Sequence, residues 1–229
     1  MDSIDLVKAR ILEAATRRER DGWETVLANL EKGWRYRLFG PRGSLQTWEE
    51  TLYTTIADGA QVLNTVTETI MVPDYTLPAS YMYQGRTLKY TVYFDTSTVI
   101  TTPGTITMRL RWGGVGGTAL CTSGAYAPDP TAASTTVSGY VEYLVTCRSI
   151  GTSGSIFAMG RMWLNDYDDA SATTIIGNLN MHVIPASAPA VVGSLDTTTA
   201  KALSPTVQFS VATATTQLTA HQAVLETLT

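Results

Sequence analysis

Two histidines, His182 and His221, and two cysteines, Cys121 and Cys147, are all the imidazoles and thiols that 229 residues offer for catalysis or metal binding. Cys147 with His182 would make a nucleophile and its base, but no third residue at a recognisable spacing orients the imidazole. A small apolar side chain in a strand is a sufficient reading of Cys147. Zinc would need more ligands at closer spacing, so the histidines read as surface or hydrogen-bonded strand residues. Asn165, Asp166, Asp168 and Asp169, in "NDYDDAS", supply the hard oxygens that calcium accepts. The glycine and distal glutamate of a calcium loop are missing, and aspartates stabilise turns by themselves, so a turn is the simpler expectation. Glu142 and Asp166 as a glycosidase pair would rest only on the presence of two carboxylates. Gly113, Gly114, Gly116 and Gly117 lack the helix start and lysine of a phosphate cradle and read as a turn. The expectation is therefore no catalytic, cofactor or metal site, and not an enzyme.

The elements that would position these residues are strands. In "TITMRLRWGG", Ile106, Met108, Leu110 and Trp112 alternate with Thr105, Thr107, Arg109 and Arg111, the period of a strand with one dry and one wet face. Arg109 and Arg111 are expected in solvent, with an acidic partner as the other reading. The same alternation places Leu88, Tyr90, Val92 and Phe94 on one face, then Val141, Tyr143, Val145 and Cys147, then Val207, Phe209 and Val211. Strands are predicted near 60–72, 86–96, 104–113, 138–149, 154–165, 173–184, 205–214 and 216–226, with long connections at 114–137 and 185–204. Turn clusters separate them, and threonine, about one residue in six, suits half-solvated sheet faces. The fold class is mainly β: an antiparallel sandwich, of jelly-roll type given the long connections.

Residues 1 to 50 differ. They hold nine of the sixteen Lys and Arg and nine of the twenty Asp and Glu. Ile4, Val7, Ile11 and Ala14, then Trp23, Leu27, Leu30 and Trp34, recur at helical steps, so a short N-terminal α-helical arm of two amphipathic helices is predicted. Helices this short are marginal alone and must pack on something. The expected organisation is an arm and linker over 1–56, for anchoring or oligomerisation, and a β-sandwich over 57–229. Trp23, Trp34 and Trp48, with Tyr36, Phe39 and Tyr53 and next to Arg35, Arg37 and Arg42, have the composition of a docking surface. Packing of the arm on its own β unit explains the same residues equally well. A net charge of −4 disfavours nucleic acid as a partner, and no apolar run reaches the length of a membrane helix. The acidic N-terminus lacks a signal-peptide core, so a soluble product of the cytoplasm is expected.

The segments "YTLPASYMYQGRTLKYTVYFDTS", "ITMRLRWGG", "YVEYLVTCRSIGTSGSIFAMGRM" and "SLDTTTAKALSPTVQFSVATATTQLTAHQAVLETLT" resemble the jelly-roll structural proteins of tailed-bacteriophage virions, over roughly residues 57 to 229. That resemblance implies a non-enzymatic virion protein without cofactors, commonly a homotrimer, assembled in the host cytoplasm. In the reading preferred here it is a capsid decoration or cement protein. Trp23, Trp34, Arg35, Tyr36, Arg37, Phe39 and Trp48 would then anchor it to the major capsid protein or another virion protein. The alternative is a tail-fibre or head-fibre component that binds a host glycan or receptor, with Tyr126 and Tyr167 as stacking residues in loops.

Overall fold

The computed structural model describes residues 50–99, 104–126, 136–165 and 181–228. In chain order the strands are β1 (Glu50–Thr54), β2 (Val62–Leu63), β3 (Thr69–Ile70), β4 (Tyr75–Leu77), β5 (Thr87–Ser97), β6 (Ile106–Trp112) and β7 (Thr118–Thr122). They continue with β8 (Val137–Ser149), β9 (Gly154–Leu164), β10 (Met181–Ile184), β11 (Val191–Leu195), β12 (Lys201–Phe209) and β13 (Gln217–Thr227). The described residues are mainly β, in two antiparallel sheets. The larger runs β1-β13-β5-β8-β9-β10, with β11 also on β9 and β2 also on β13. The smaller runs β3-β12-β6-β7, with β4 also on β12. The predicted helical arm lies outside the described residues.

Alternation builds the core. Leu88, Tyr90 and Val92 of β5 lie opposite Val145, Tyr143 and Val141 of β8, and all six are buried. From the smaller sheet, Ile106 and Met108 lie opposite Phe209 and Val207, also buried. Period-two alternation turns every second residue of each strand inward, so one apolar face per sheet excludes water. Deleting a buried Leu or Phe from such a core costs about 2–5 kcal/mol. Val211, expected on the same face as Val207 and Phe209, falls beyond the end of β12 and is half-buried.

Several expectations need correction. The segment 60–72 is not one strand. Asn64 takes a left-handed conformation (φ 49°), and the chain passes from β2, paired with β13, to β3, paired with β12 in the other sheet. The expected connection 114–137 contains β7, and 185–204 contains β11 and the start of β12. β7 hides from a periodicity reading because Leu120 and Cys121 are both buried, at a shift of register against β6. β1 pairs with β13, so the β unit extends to the N-terminal side of residue 57.

One irregularity positions a polar group. The register of β13 against β5 slips between Ala220 and Gln222, and His221 is the extra residue. A bulge of this kind lets two successive polar residues, His221 and Gln222, point outward while Ala220 and Ala223 both stay buried.

Candidate functional site: the outer faces of the two sheets

The chemistry weighed from the sequence is not assembled among the described residues. They hold no cluster of three or more His, Cys, Asp or Glu able to hold a metal. Burial pushes the Cys121 thiol up to about 12, and raises that of Cys147, the reverse of what a nucleophile needs. Cys147 donates to the Ser149 carbonyl. The glycine run closes the β6–β7 turn: Gly113 and Gly114 have φ of 96° and 86°, and the Gly117 amide donates to the Gly114 carbonyl at 2.9 Å. Asn165 is described, whereas Asp166, Tyr167, Asp168 and Asp169 lie outside the described residues, as do Trp23, Trp34, Arg35, Tyr36, Arg37, Phe39, Arg42 and Trp48.

Tyr53, grouped by sequence with those aromatics, packs on the β unit. Its ring lies 5.6 Å from that of Tyr75, and its hydroxyl donates to the Pro73 carbonyl at 3.2 Å. Tyr126 is half-buried against the core, bridges Ile106 and meets the His182 ring edge-on at 4.6 Å. It is a packing residue in the structure rather than a ring presented on a loop. Burial lowers the pKa of His182 and favours its neutral form.

Arg109 and Arg111 are not in open solvent. Both pair with Glu68: Arg109 Nη1 lies 3.0 Å from Oε2, Arg111 Nη2 lies 2.6 Å from Oε2, and Arg111 Nε pairs with Oε1. The buried Thr206 hydroxyl donates to the same carboxylate. Arg109 also reaches Gln208, whose amide donates to the Val66 carbonyl at 3.1 Å. Burial alone would raise the Glu68 pKa. The hydrogen bonds from Arg111 and Thr206 and the two guanidinium charges outweigh it and hold the carboxyl below its usual range. Glu68, which directly precedes β3 at the edge of the smaller sheet, thus reaches with its side chain over the outer face and ties β12 and β6 together.

The outer face of the larger sheet is built differently, and sequence reasoning missed it. Tyr93 of β5 lies opposite Tyr140 of β8, Tyr140 opposite Trp163 of β9, and Trp163 opposite Met181 of β10. Ring centroids are 5.9 Å apart for Tyr93–Tyr140 and 6.1 Å for Tyr140–Trp163. Leu144 and Met159 lie opposite each other four residues further along β8 and β9, with Phe157 and Val191 beyond them. Exposure is 46 % for Tyr93 and Met181, 40 % for Leu144, 53 % for Val191 and 59 % for Val183.

The charges on this face are joined laterally. Arg161 pairs with Glu142 at 3.1 Å, and Lys89 with Glu226 at 2.7 Å. At one end, His221 stands between Asp95 (Nε2 to Oδ2, 3.1 Å) and Asp58 (Nδ1 to Oδ1, 3.2 Å). Hydrogen bonds to Asp95 and Asp58 raise its pKa, because both ring nitrogens donate only when the imidazole is protonated. The available sequence signal was an aromatic at a wet position, such as Tyr93 between Val92 and Phe94; only the strand register joins these positions into a row.

Comparison with protein-family models, with curated proteins and with solved structures finds no match to this chain.

Proposed function

We propose that this chain is a non-enzymatic structural protein of a tailed-bacteriophage virion: a capsid decoration or cement protein that stabilises the shell. Its β unit is a jelly roll, it acts as a homotrimer in the assembled virion, and its N-terminal arm binds the major capsid protein. The observation that carries this reading is a broad apolar face outside the core; among the described residues no cluster able to hold a metal accompanies it. Such a molecule is suited to contact rather than turnover. Strand pairing supports the jelly-roll part. β6 pairs with β7, β5 with β8, β3 with β12 and β1 with β13, a nested series shared between the two sheets, as a long hairpin wrapped on itself produces. β9, β10 and β11 form an insertion at the β8 edge.

Copy number per particle tests the reading directly. Hundreds of copies by quantitative mass spectrometry fit head decoration, whereas a few to a few dozen would move the protein to a tail or vertex. A chain lacking residues 2–48 is expected to fold and fail to decorate heads. Decoration at full occupancy would overturn the anchoring role of Trp23, Trp34 and Trp48.

A fibre component that binds a host glycan is the second reading. The row Tyr93, Tyr140 and Trp163 favours it, since adjacent rings on a sheet face can stack on sugars. Loss of glycan binding in Trp163→Ala, with Tyr126→Ala unaffected, would support it.

A further inference from the structure

We propose that a neighbouring copy of this chain covers the outer face of the larger sheet, centred on Tyr140, Trp163, Met181 and Val183. The inference rests on the preceding reading only for the number of copies, three.

Composition is the first argument. Of the eleven large apolar side chains exposed among the described residues, five (Tyr93, Leu144, Met181, Val183 and Val191) lie on this one face. A sugar would use the rings and gain little from Leu144, Val183 and Val191. Aromatics and methionine set among aliphatics are the make-up of a protein–protein interface core, most of all between identical chains.

Charge is the second. Around a closed ring each copy's face meets that of its neighbour, so a face with a surplus of one sign would repel the next copy. Here Arg161 is matched by Glu142 and Lys89 by Glu226 within the chain, in the middle of the face. The remaining charges stand at its ends. Arg148 lies over the Phe157 ring at 5.1 Å, and Asp58 and Asp95 flank His221. An apolar middle with paired ions and a polar rim lets identical faces approach without like-charge repulsion, although the whole chain carries a net charge of −4.

The third is the contrast with the smaller sheet, whose outer-face arginines are gathered by one carboxylate of their own chain, Glu68. Among the described residues the larger sheet's outer face has no such hub, and its ions pair singly between neighbouring strands.

The test is the mass of the full chain in solution, by native mass spectrometry and by light scattering across a dilution series. The wild type is expected as a closed oligomer of three copies. Val183→Asp and Leu144→Glu, both at exposed positions, should each weaken association on the order of 100-fold or more, because each buries a charge whose facing cation, Arg161 or Lys89, is already paired with Glu142 or Glu226. Their circular dichroism should match that of the dissociated wild type. Val115→Glu, similarly exposed but in the β6–β7 turn of the smaller sheet, should leave the mass unchanged. Without any variant, oxidation of Met181 by hydroxyl radicals should rise when the wild type is diluted through dissociation.

A wild type monomeric at every concentration, or a Val183→Asp protein with the wild-type mass, would overturn the proposal. So would a monomer retarded by neutral polysaccharide through Trp163. A wild-type oligomer that does not bind heads would instead sink the virion reading and leave the interface standing. A monomer that decorates heads would do the opposite.

Discussion

The two sheets turn unlike faces outward. On the smaller one, Arg109 and Arg111 rise from β6 beside Thr206 and Gln208 of β12, and all four are drawn toward residues 66–70 through Glu68 and the Val66 carbonyl. On the larger one the corresponding positions carry Tyr93, Tyr140, Trp163, Leu144 and Met181, and its ions are satisfied sideways between neighbouring strands. A polar outer face can be closed within the chain, because one carboxylate gathers several donors. An apolar outer face offers no such donors to gather. The difference teaches that a carboxylate bound by donors from two strands finishes a face, whereas ions paired singly between neighbouring strands leave the apolar side chains around them open.

The comparison breaks first at Glu68. Glu68→Ala leaves two half-buried guanidinium groups side by side and leaves the buried Thr206 hydroxyl only the longer contact to the Arg109 carbonyl, 3.4 Å. The expected cost is about 2–3 kcal/mol, or roughly 6 °C in Tm by calorimetry. A variant that melts within a degree of wild type would show that the Glu68 ion pairs do not stabilise the smaller sheet. The Glu68 carboxyl is held below its usual range, so this stability is complete above its unfolded pKa of about 4.3 and fades as pH falls through the folded value.

Thr206→Val should fall in the middle, at about 1 kcal/mol, since it removes one buried donor to Glu68 and keeps the shape. Denaturant titration would register it as a lower midpoint with unchanged slope. On the larger sheet, Glu142→Gln should cost less than about 0.5 kcal/mol, because Arg161 is 48 % exposed and salt screens the pair. If Glu142→Gln proved as damaging as Glu68→Ala, the two faces would not differ as described.

The inward half of the long strands β5, β6, β8 and β12 is readable from sequence. Leu88, Tyr90, Val92 and Phe94 were placed on the core side by alternation alone, because a strand with one dry face writes its burial in period two. Three kinds of feature were not readable. β7 defeats periodicity because both Leu120 and Cys121 are buried across a register shift. The β2–β3 segment looks like one apolar run because Asn64, where it changes sheets, carries no breaker stronger than its own tolerance of positive φ. The aromatic row was invisible because its members sit on four strands, Tyr93, Tyr140, Trp163 and Met181, and only pairing makes them neighbours. Likewise the partner of Arg109 and Arg111, Glu68, lies some forty residues earlier and is brought over the strand by tertiary folding.

The smallest effect is at His221, where the larger sheet's apolar face gives way to carboxylates. Asp95 and Asp58 stabilise the protonated imidazole, so its folded pKa lies above the unfolded value of about 6.5. The stabilisation is therefore complete below about pH 6.5 and is lost as pH rises through the folded value. Since the ring is 46 % exposed, solvent screens the gain to a few tenths of a kcal/mol. The expected outcome is a slightly lower melting temperature at pH 8 than at pH 6, a difference absent in His221→Gln. An NMR titration should place the imidazole above the free value in wild type, and Asp95→Asn should bring it down. A rise in stability with pH that depended on His221 would mean that burial, rather than the two carboxylates, governs the ring. The bulge in β13 would then serve only to keep Ala220 and Ala223 facing the core.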